Sequence, residues 1–445
     1  MINKFLLLLR HAFALIRDDK LYSAIYIAGT AVAVASAMVV AIVFNILLAD
    51  IPPEVHRSRT LYLLNTFINK SDMGSGFRSG CSLELIDSCF RQMKCVEAAT
   101  GIYNTQTTFL AYTKDQQNRI PFYARVTDHE FFHLYEFRFL EGRPFSEKEF
   151  RDGERVAVIS DKVADVLGAG EGSTVLFNEK PYHVVGVVKS VSVFLTESAA
   201  DVYVPYSEVY YSQTPISDRS SASVSYSGNL AVRILLRKGC SRKDFLEELE
   251  PFRQHVMTMA STQIGEHVDW VIDVDTHFFN RVSFTRDGEQ DLVHEAKNLI
   301  TPAILMLLLL FLPAINLSGL VSNRMEGRRA EMGIRKAFGA KRRTLLSEVI
   351  HENLILTLCG GMVGWLLAWF VIYLIHDNKV FLRMFDFHSN AQSQLDTSLD
   401  ISMFVTPTLF IIVFLCCAML NLMAALIPSW TSLRKPIVES LNQKR

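Results

Sequence analysis

Four long stretches of this 445-residue chain lack Asp, Glu, Lys and Arg altogether: Tyr22–Leu48, Leu299–Ser322, Asn353–Ile375 and Ile401–Trp430. Each meets the requirement of ~20 apolar residues for crossing a hydrocarbon core about 30 Å thick. That absence excludes a wholly soluble chain. It also argues against a polar pathway through the helices, because intramembrane charges usually mark such pathways and the nearest acid, Glu352, sits at a segment edge. A net charge of −1 gives no overall attraction to nucleic acid. No G-x-x-x-x-G-K-[ST] occurs, so nucleotide-driven work would have to be powered by another polypeptide. Internal repeats and low-complexity tracts are absent as well.

The charges that are present set an orientation. Lys4, Arg10, Arg17 and Lys20 precede the first stretch, and Arg434, Lys435, Lys444 and Arg445 follow the fourth. Between the second and third lie Arg324, Arg328, Arg329, Arg335, Lys336, Lys341, Arg342 and Arg343, whereas 377–400 holds only Lys379 and Arg383. Basic residues near helix ends stay cytoplasmic. Both termini and the basic loop are therefore expected inside, with the roughly 250 residues after the first span outside, one or two domains' worth. The first stretch runs past the small residues Ala33, Ala35 and Ala37 to Leu48, longer than a signal-peptide core of about 7–15 residues, and reads as an anchor.

The expected fold is an α-helical membrane protein with four transmembrane helices plus a large extracytoplasmic α+β domain, an α/β unit with an inserted β-rich lobe. Met1–Lys20 reads as an amphipathic cytoplasmic helix, followed by spans at 22–48, 298–322, 350–376 and 401–430. The domain covers 49–297, its lobe about 105–225 and a helical stalk about 276–297. The remaining segments are a cytoplasmic coupling loop (323–349), a short outer loop (377–400) and a tail (431–445). Thr60–Phe67, Phe122–Val126, Arg155–Ile159, Val175–Phe177, His183–Val188, Asp201–Pro205, Leu230–Leu236 and His267–Val274 read as strands. Ser82–Lys94 reads as a helix, and Ser241 as the N-cap of a helix over Arg242–Met259. Of seven cysteines, Cys81, Cys89, Cys95 and Cys240 fall in the outer domain, where oxidation is chemically open, and a bridge within Cys81–Cys95 is unforced in a domain of this size.

Two motifs invite chemistry. His129-Glu130-Phe131-Phe132-His133 is a literal H-E-x-x-H, which on a helix could hold zinc with Glu130 as general base. No G-x-x-H extension supplies a third ligand. The alternative is a short helix whose Phe131, Phe132 and Phe137 fill the lobe. Gly168–Thr174 is glycine-rich but lacks the lysine of a phosphate loop, and reads as a turn before a strand.

The basic loop is patterned beyond what orientation requires. Met332, Ile334, Ala337 and Phe338 form a small apolar face among charges, Gly339-Ala340 interrupts it, and Thr344–His351 resumes as a helix into the third span. A short amphipathic helix joined tightly to spanning helices suits docking onto a cytoplasmic partner. Arg328, Arg329, Glu331, Met332, Gly333, Ile334, Arg335, Lys336, Ala337, Gly339 and Ala340 follow, in order, R-R-x-E-[IM]-G-[IV]-R-[KR]-A-x-G-A. This stretch resembles the signature of the FtsX/MacB class of ABC-transporter permeases (type VII exporters). Ala314–Ser318, Gly360, Gly361 and Gly364, Pro428-Ser-Trp430 and Pro436–Leu441 resemble its second, third and closing segments. Phe131-Phe132, Glu141-Gly142-Arg143 and Val184–Val188 resemble its MacB-type periplasmic core.

The resemblance implies a non-enzymatic permease subunit in a bacterial inner membrane, paired with a second permease subunit as a homodimer or related heterodimer. A separate cytoplasmic ABC ATPase would use ATP and Mg; this chain would bind no cofactor of its own. Arg328, Arg329, Glu331, Met332, Gly333, Ile334, Arg335, Lys336, Phe338 and Gly339 would couple ATPase motion to the outer domain, driving export or efflux from the periplasm. A periplasmic adaptor or client is a further expected partner. The open alternatives are a regulator of a periplasmic enzyme, a lipoprotein-extraction permease and, remotely, a zinc metalloprotease. Gly29, Ala33 and Ala37 in the first span, and Gly360 and Gly364 in the third, recur at intervals of four. Such small-residue stripes serve either packing within a subunit or a dimer seam.

Overall fold

In this computed structural model the described residues are 20–277, apart from 71–75, 104–106, 116–117, 193–194, 207–225 and 265–266; isolated positions between 280 and 335; 337–375; and 407–434. The chain divides into two compact units. One comprises Met1–Asn45, Glu289–Asn378 and Ile401–Arg445; the other comprises Ile46–Gly288 and Lys379–Asp400. Helix α1, Lys20–Leu48, is continuous through the first charge-free stretch, and 20–46 is long and apolar enough to cross a membrane. The expected amphipathic helix at 1–20, the second span and nearly all of the stalk lie outside the described residues.

The second unit is built on one mixed sheet. Its strands are β1 (Thr60–Lys70), β2 (Gly76–Cys81), β3 (Val96–Tyr103), β4 (Thr107–Tyr112), β5 (Arg119–Thr127), β6 (Phe139–Gly142), β7 (Val156–Ser160), β8 (Thr174–Phe177), β9 (Lys180–Val188), β10 (Val202–Pro205), β11 (Ser227–Gly228), β12 (Leu230–Leu236) and β13 (Val268–Thr276). The order across the sheet is β11-β2-β1-β12-β3-β5-β10-β7-β9-β6, with β13 on β1, β4 on β5 and β8 on β9. Among the described strand pairs, only β5/β10 and β7/β9 are parallel. Strands β4 to β10 lie in sequence between β3 and β11, and they continue the sheet through the single register pair Ile102↔Thr127.

Two apolar layers cover the sheet. On one, α2 (Leu83–Ser88) contributes Leu85 and Ile86, and Phe90 of the following 3-10 turn packs with them against Phe245 and Leu249. The same layer extends under the lobe through Phe109, Phe122 and Phe177. On the other, α3 (Phe131–Leu134) packs Phe131 and Leu134 with Phe145, Val158, Val188 and Tyr203. Every residue of β12 is buried, which is why it reads in sequence as an unbroken apolar run with one arginine.

Helical expectations shifted at their ends. The segment expected as one helix over Ser82–Lys94 ends at Ser88 and becomes a 3-10 turn at Phe90–Gln92, where Arg91 turns inward to Asp128 (3.0 Å) and the Ala99 carbonyl (3.0 Å). Helix α4 (Glu147–Arg151) opens on a capping box between Ser146 and Glu149, and α5 (Asp161–Leu167) is closed by Gly168 at φ +62°. Helix α6 begins at Arg242 and extends to Ile264. Ser241 caps it, donating from Oγ to Asp244 at 2.8 Å and accepting from the Asp244 amide at 3.4 Å.

In the first unit, α7 runs without a break from Arg342 to Ile375, with 343–374 long and apolar enough to span. Helix α8 covers Pro407–Arg434 and contains the apolar segment Thr408–Met423.

Candidate functional site

The basic loop is described at Ile334, Arg335 and from Ala337 onward, where it forms the end of a helical turn. The Phe338 amide donates to the Ile334 carbonyl (3.1 Å) and the Ala340 amide to the Arg335 carbonyl (3.0 Å). Gly339 between them has φ +89°. This i to i+5 bond across a left-handed residue is a Schellman termination, which glycine adopts without steric cost. One residue later, the Lys341 carbonyl accepts the amides of Thr344 (3.0 Å) and Leu345 (3.3 Å), opening α7. The turn and α7 are thus joined by a single tight bend. Arg335 reaches across it to Glu348 at 2.9 Å.

Two apolar side chains of the turn face outward beside the exposed Arg335: Phe338 is 89% exposed and Ile334 50%. Burying both against a partner would contribute roughly 1.5–3 kcal/mol per side chain before association costs. Behind it, Leu345, Val349 and Leu356 of α7 pack on Tyr26 of α1, whose hydroxyl meets Thr357 Oγ1 at 3.2 Å. Arg328, Arg329, Glu331, Met332, Gly333 and Lys336 lie outside the described residues.

The small-residue stripe of α7 faces α1 within the same chain. A Cβ on Gly360 would sit 2.7 Å from Thr30 Cβ, and one on Gly364 would sit 2.7 Å from the Ala31 carbonyl oxygen. Gly361 points elsewhere, to the Phe414 ring of α8. On α1, Ala33 and Ala37 are buried and Gly29 is half-buried.

The H-E-F-F-H segment does not form the helix that a metalloprotease site requires. Helix α3 is one turn and starts after His129 and Glu130, so the two histidines do not share a helical face. His129 packs on Phe150 (5.6 Å between ring centroids) and lies 3.6 Å from Glu130, while His133 is exposed. Phe131 and Phe132 fill an aromatic cluster with Tyr135, Phe137, Phe145 and Tyr203. Among the described residues no group of three His, Cys, Asp or Glu is placed to hold a metal ion.

Among the described residues, three buried carboxylates are paired with arginines, pairings that went unread in the sequence. Arg233 of β12 pairs with Glu197 at 2.7 Å and lies 5.0 Å from the Tyr62 ring centroid. Asp128 accepts from Arg91, the Thr100 hydroxyl (2.6 Å), the Gly101 amide (2.9 Å) and the Tyr206 hydroxyl (3.1 Å). Glu54 pairs with Arg57 at 2.8 Å. The one available signal was an arginine inside an apolar strand, as in Leu-Ala-Val-Arg233-Ile-Leu-Leu.

Comparison with known proteins brings these parts together. Residues 23–252 match the MacB-like periplasmic core domain, and residues 303–437 match the FtsX-like permease C-terminal model. The chain is 23% identical over 231 residues to an uncharacterised ABC transporter permease, YknZ, of Bacillus subtilis, covering 50% of each chain. It is 26% identical over 227 residues to the macrolide export ATP-binding/permease protein MacB of Neisseria gonorrhoeae, covering 50% of this chain and 31% of that one. The match thus spans half or less of these relatives' lengths. Among solved structures, the periplasmic region of MacB from Actinobacillus actinomycetemcomitans aligns at 14% identity and a TM-score of 0.33, covering 52% of this chain and 95% of that one. A domain of a putative permease from Porphyromonas gingivalis aligns at 14% identity and 0.36, covering 54% and 97%. With one model matched over more than half its length and a second over its permease segment, the chain belongs to the FtsX/MacB-like family of ABC-transporter permeases.

Proposed function

We propose that this chain is the permease subunit that couples ATP hydrolysis by a separate cytoplasmic ATPase to movements of its own periplasmic domain, driving export or efflux from the periplasm. The observation that carries the reading is the exposed Ile334–Phe338 turn, set by the Gly339 bend directly on α7. A partner docked on Phe338 would push on a spanning helix through one tight turn, with no slack segment between. Four spans, cytoplasmic termini and a bacterial inner-membrane location accompany the reading, supported by the distribution of Lys and Arg at the segment ends. A second permease subunit and a periplasmic adaptor or client complete the assembly. The ATP and Mg belong to the partner.

The test is co-purification of the full chain from native membranes, followed by ATPase assay. The expected outcome is a co-purifying P-loop ATPase stimulated by the permease, with stimulation abolished by Glu331→Lys with Arg335→Glu while membrane insertion is unchanged. Undiminished stimulation in that variant would overturn the coupling assignment. Recovery of a peptidoglycan hydrolase in place of an adaptor would favour the regulatory alternative.

A further inference from the structure

The connection between α1 and β1 carries a buried charge pair, Glu54 and Arg57. Glu54 is 1% exposed and Arg57 2%. The Arg57 guanidinium donates from Nη1 to the carbonyls of Ile46 and Ala49, both at 2.6 Å, and from Nε to Glu54 Oε2 at 2.8 Å. It therefore caps the end of α1, where carbonyls lack helical partners and a cation is favoured. The other Glu54 oxygen accepts the Ser198 amide at 2.9 Å and the Ser198 hydroxyl at 2.7 Å. All of these residues belong to the second unit.

Ser198 lies in a buried turn of the lobe, Leu195–Ala200, that forms neither helix nor strand. Such a turn would be costly to bury unless its polar groups were bonded, and here they are. Arg125 Nη2 donates to the carbonyls of Thr196 (2.8 Å) and Ala199 (3.2 Å). Tyr203 donates to the Ser198 carbonyl (2.8 Å) and accepts the Ala200 amide (3.1 Å). Glu197 pairs with Arg233. A second bond between connection and lobe runs from the Glu136 amide to the Pro53 carbonyl at 3.0 Å. Burying two opposite charges is a poor route to stability, since desolvation can exceed their attraction and apolar residues of equal volume often serve as well. What the pair provides is direction: fixed bonds from one arginine to a helix end and, through one carboxylate, to a turn far away in sequence.

We infer that Glu54 and Arg57 are positioning residues that fuse the α1–β1 connection to the Leu195–Ala200 turn, so that displacement of the connection is delivered to the lobe. This rests on the mechanotransmission reading for its purpose, though not for its test. The full chain in nanodiscs, without nucleotide, is compared with Glu54→Gln and Ser198→Ala by hydrogen exchange. Each variant, though altered on one side only, should speed exchange of both 54–58 and 195–200 by a common factor of about tenfold or more, with β7 and β12 amides unchanged as proof of folding. Loosening confined to the altered side overturns the joint.

A second arm adds the co-purified ATPase. Glu54→Gln should leave ATPase stimulation within about twofold of wild type while abolishing nucleotide-driven protection changes at 195–200, a split that a purely stabilising residue would not produce. Persistence of those changes counts against the inference. If the wild-type chain stimulates no ATPase, the permease reading fails, and the nucleotide-free arm still decides the joint.

Discussion

Gly364 of α7 and Ala31 of α1 meet backbone to backbone: a Cβ on the glycine would stand 2.7 Å from the Ala31 carbonyl oxygen and 2.9 Å from Val34 Cβ. Neither obstacle is the tip of a flexible chain. Gly364→Ala should therefore force the helices apart, at about 1–3 kcal/mol as for other overpacked sites. Gly361→Ala meets only the edge of the Phe414 ring, which can rotate, and should cost less. Thermal unfolding of the two variants in detergent measures the difference. Equal midpoints would show that the α1–α7 contact is looser than described.

The lobe carries a pH-dependent element at the start of α4. Arg143 donates twice to Glu149 (2.7 and 2.9 Å), the Ser146 amide and hydroxyl add two more bonds, and together they hold the Glu149 carboxyl down to about 2. A folded-state value below the usual 4.5 means stability that is present above about 4.5 and is lost as pH falls toward about 2. Glu149→Gln should lower the thermal midpoint of the domain at neutral pH, and the gap from wild type should close across that acidic window. The Arg143 side chain is half exposed, so screening keeps the effect modest and added salt should shrink it. A gap independent of pH would refute the assignment.

The outer cysteines should be chemically quiet. Cys81, Cys89, Cys95 and Cys240 are free thiols, the first three buried. Burial raises Cys81 well above its usual range and pushes Cys89 and Cys95 up to about 12, the carboxylate of Glu248 beside both adding to the rise. At neutral pH their thiolate fraction is therefore far below that of a free cysteine. Alkylation of the folded chain should spare these three, and denaturant should release them. Dithiothreitol should leave the thermal midpoint unchanged, since a core of this size needs no covalent staple. Quantitative labelling without denaturant would contradict the packing.

Elements defined by near neighbours were readable in advance. Strand β12 announced itself because both its faces are buried, so apolar residues run without alternation. Helix α6 announced its start because Ser241 and Asp244 cap each other within one turn. Strand β3, Val-Glu-Ala-Ala-Thr-Gly-Ile-Tyr, carried no such mark. Its small residues have little β-propensity, and it is a strand because β12 pairs along its length. The break after Ser88 was hidden for the same reason, since Arg91 leaves the helix for Asp128, a partner in β5's wake.

Local spacing along the chain shows where charge is absent, where the basic residues gather, and that a turn ends at Gly339 before a long apolar helix. These are properties of neighbouring residues, so sequence spacing records them. Long-range packing, by contrast, is what turns Gly360 and Gly364 toward α1, makes β5 the bridge from the lobe to the remaining strands, and buries Glu54, Asp128 and Glu197 opposite arginines. A buried charge is tolerated only when directional partners replace its water. For Glu54 one of those partners, Ser198, lies far along the chain, where no local pattern can reveal it.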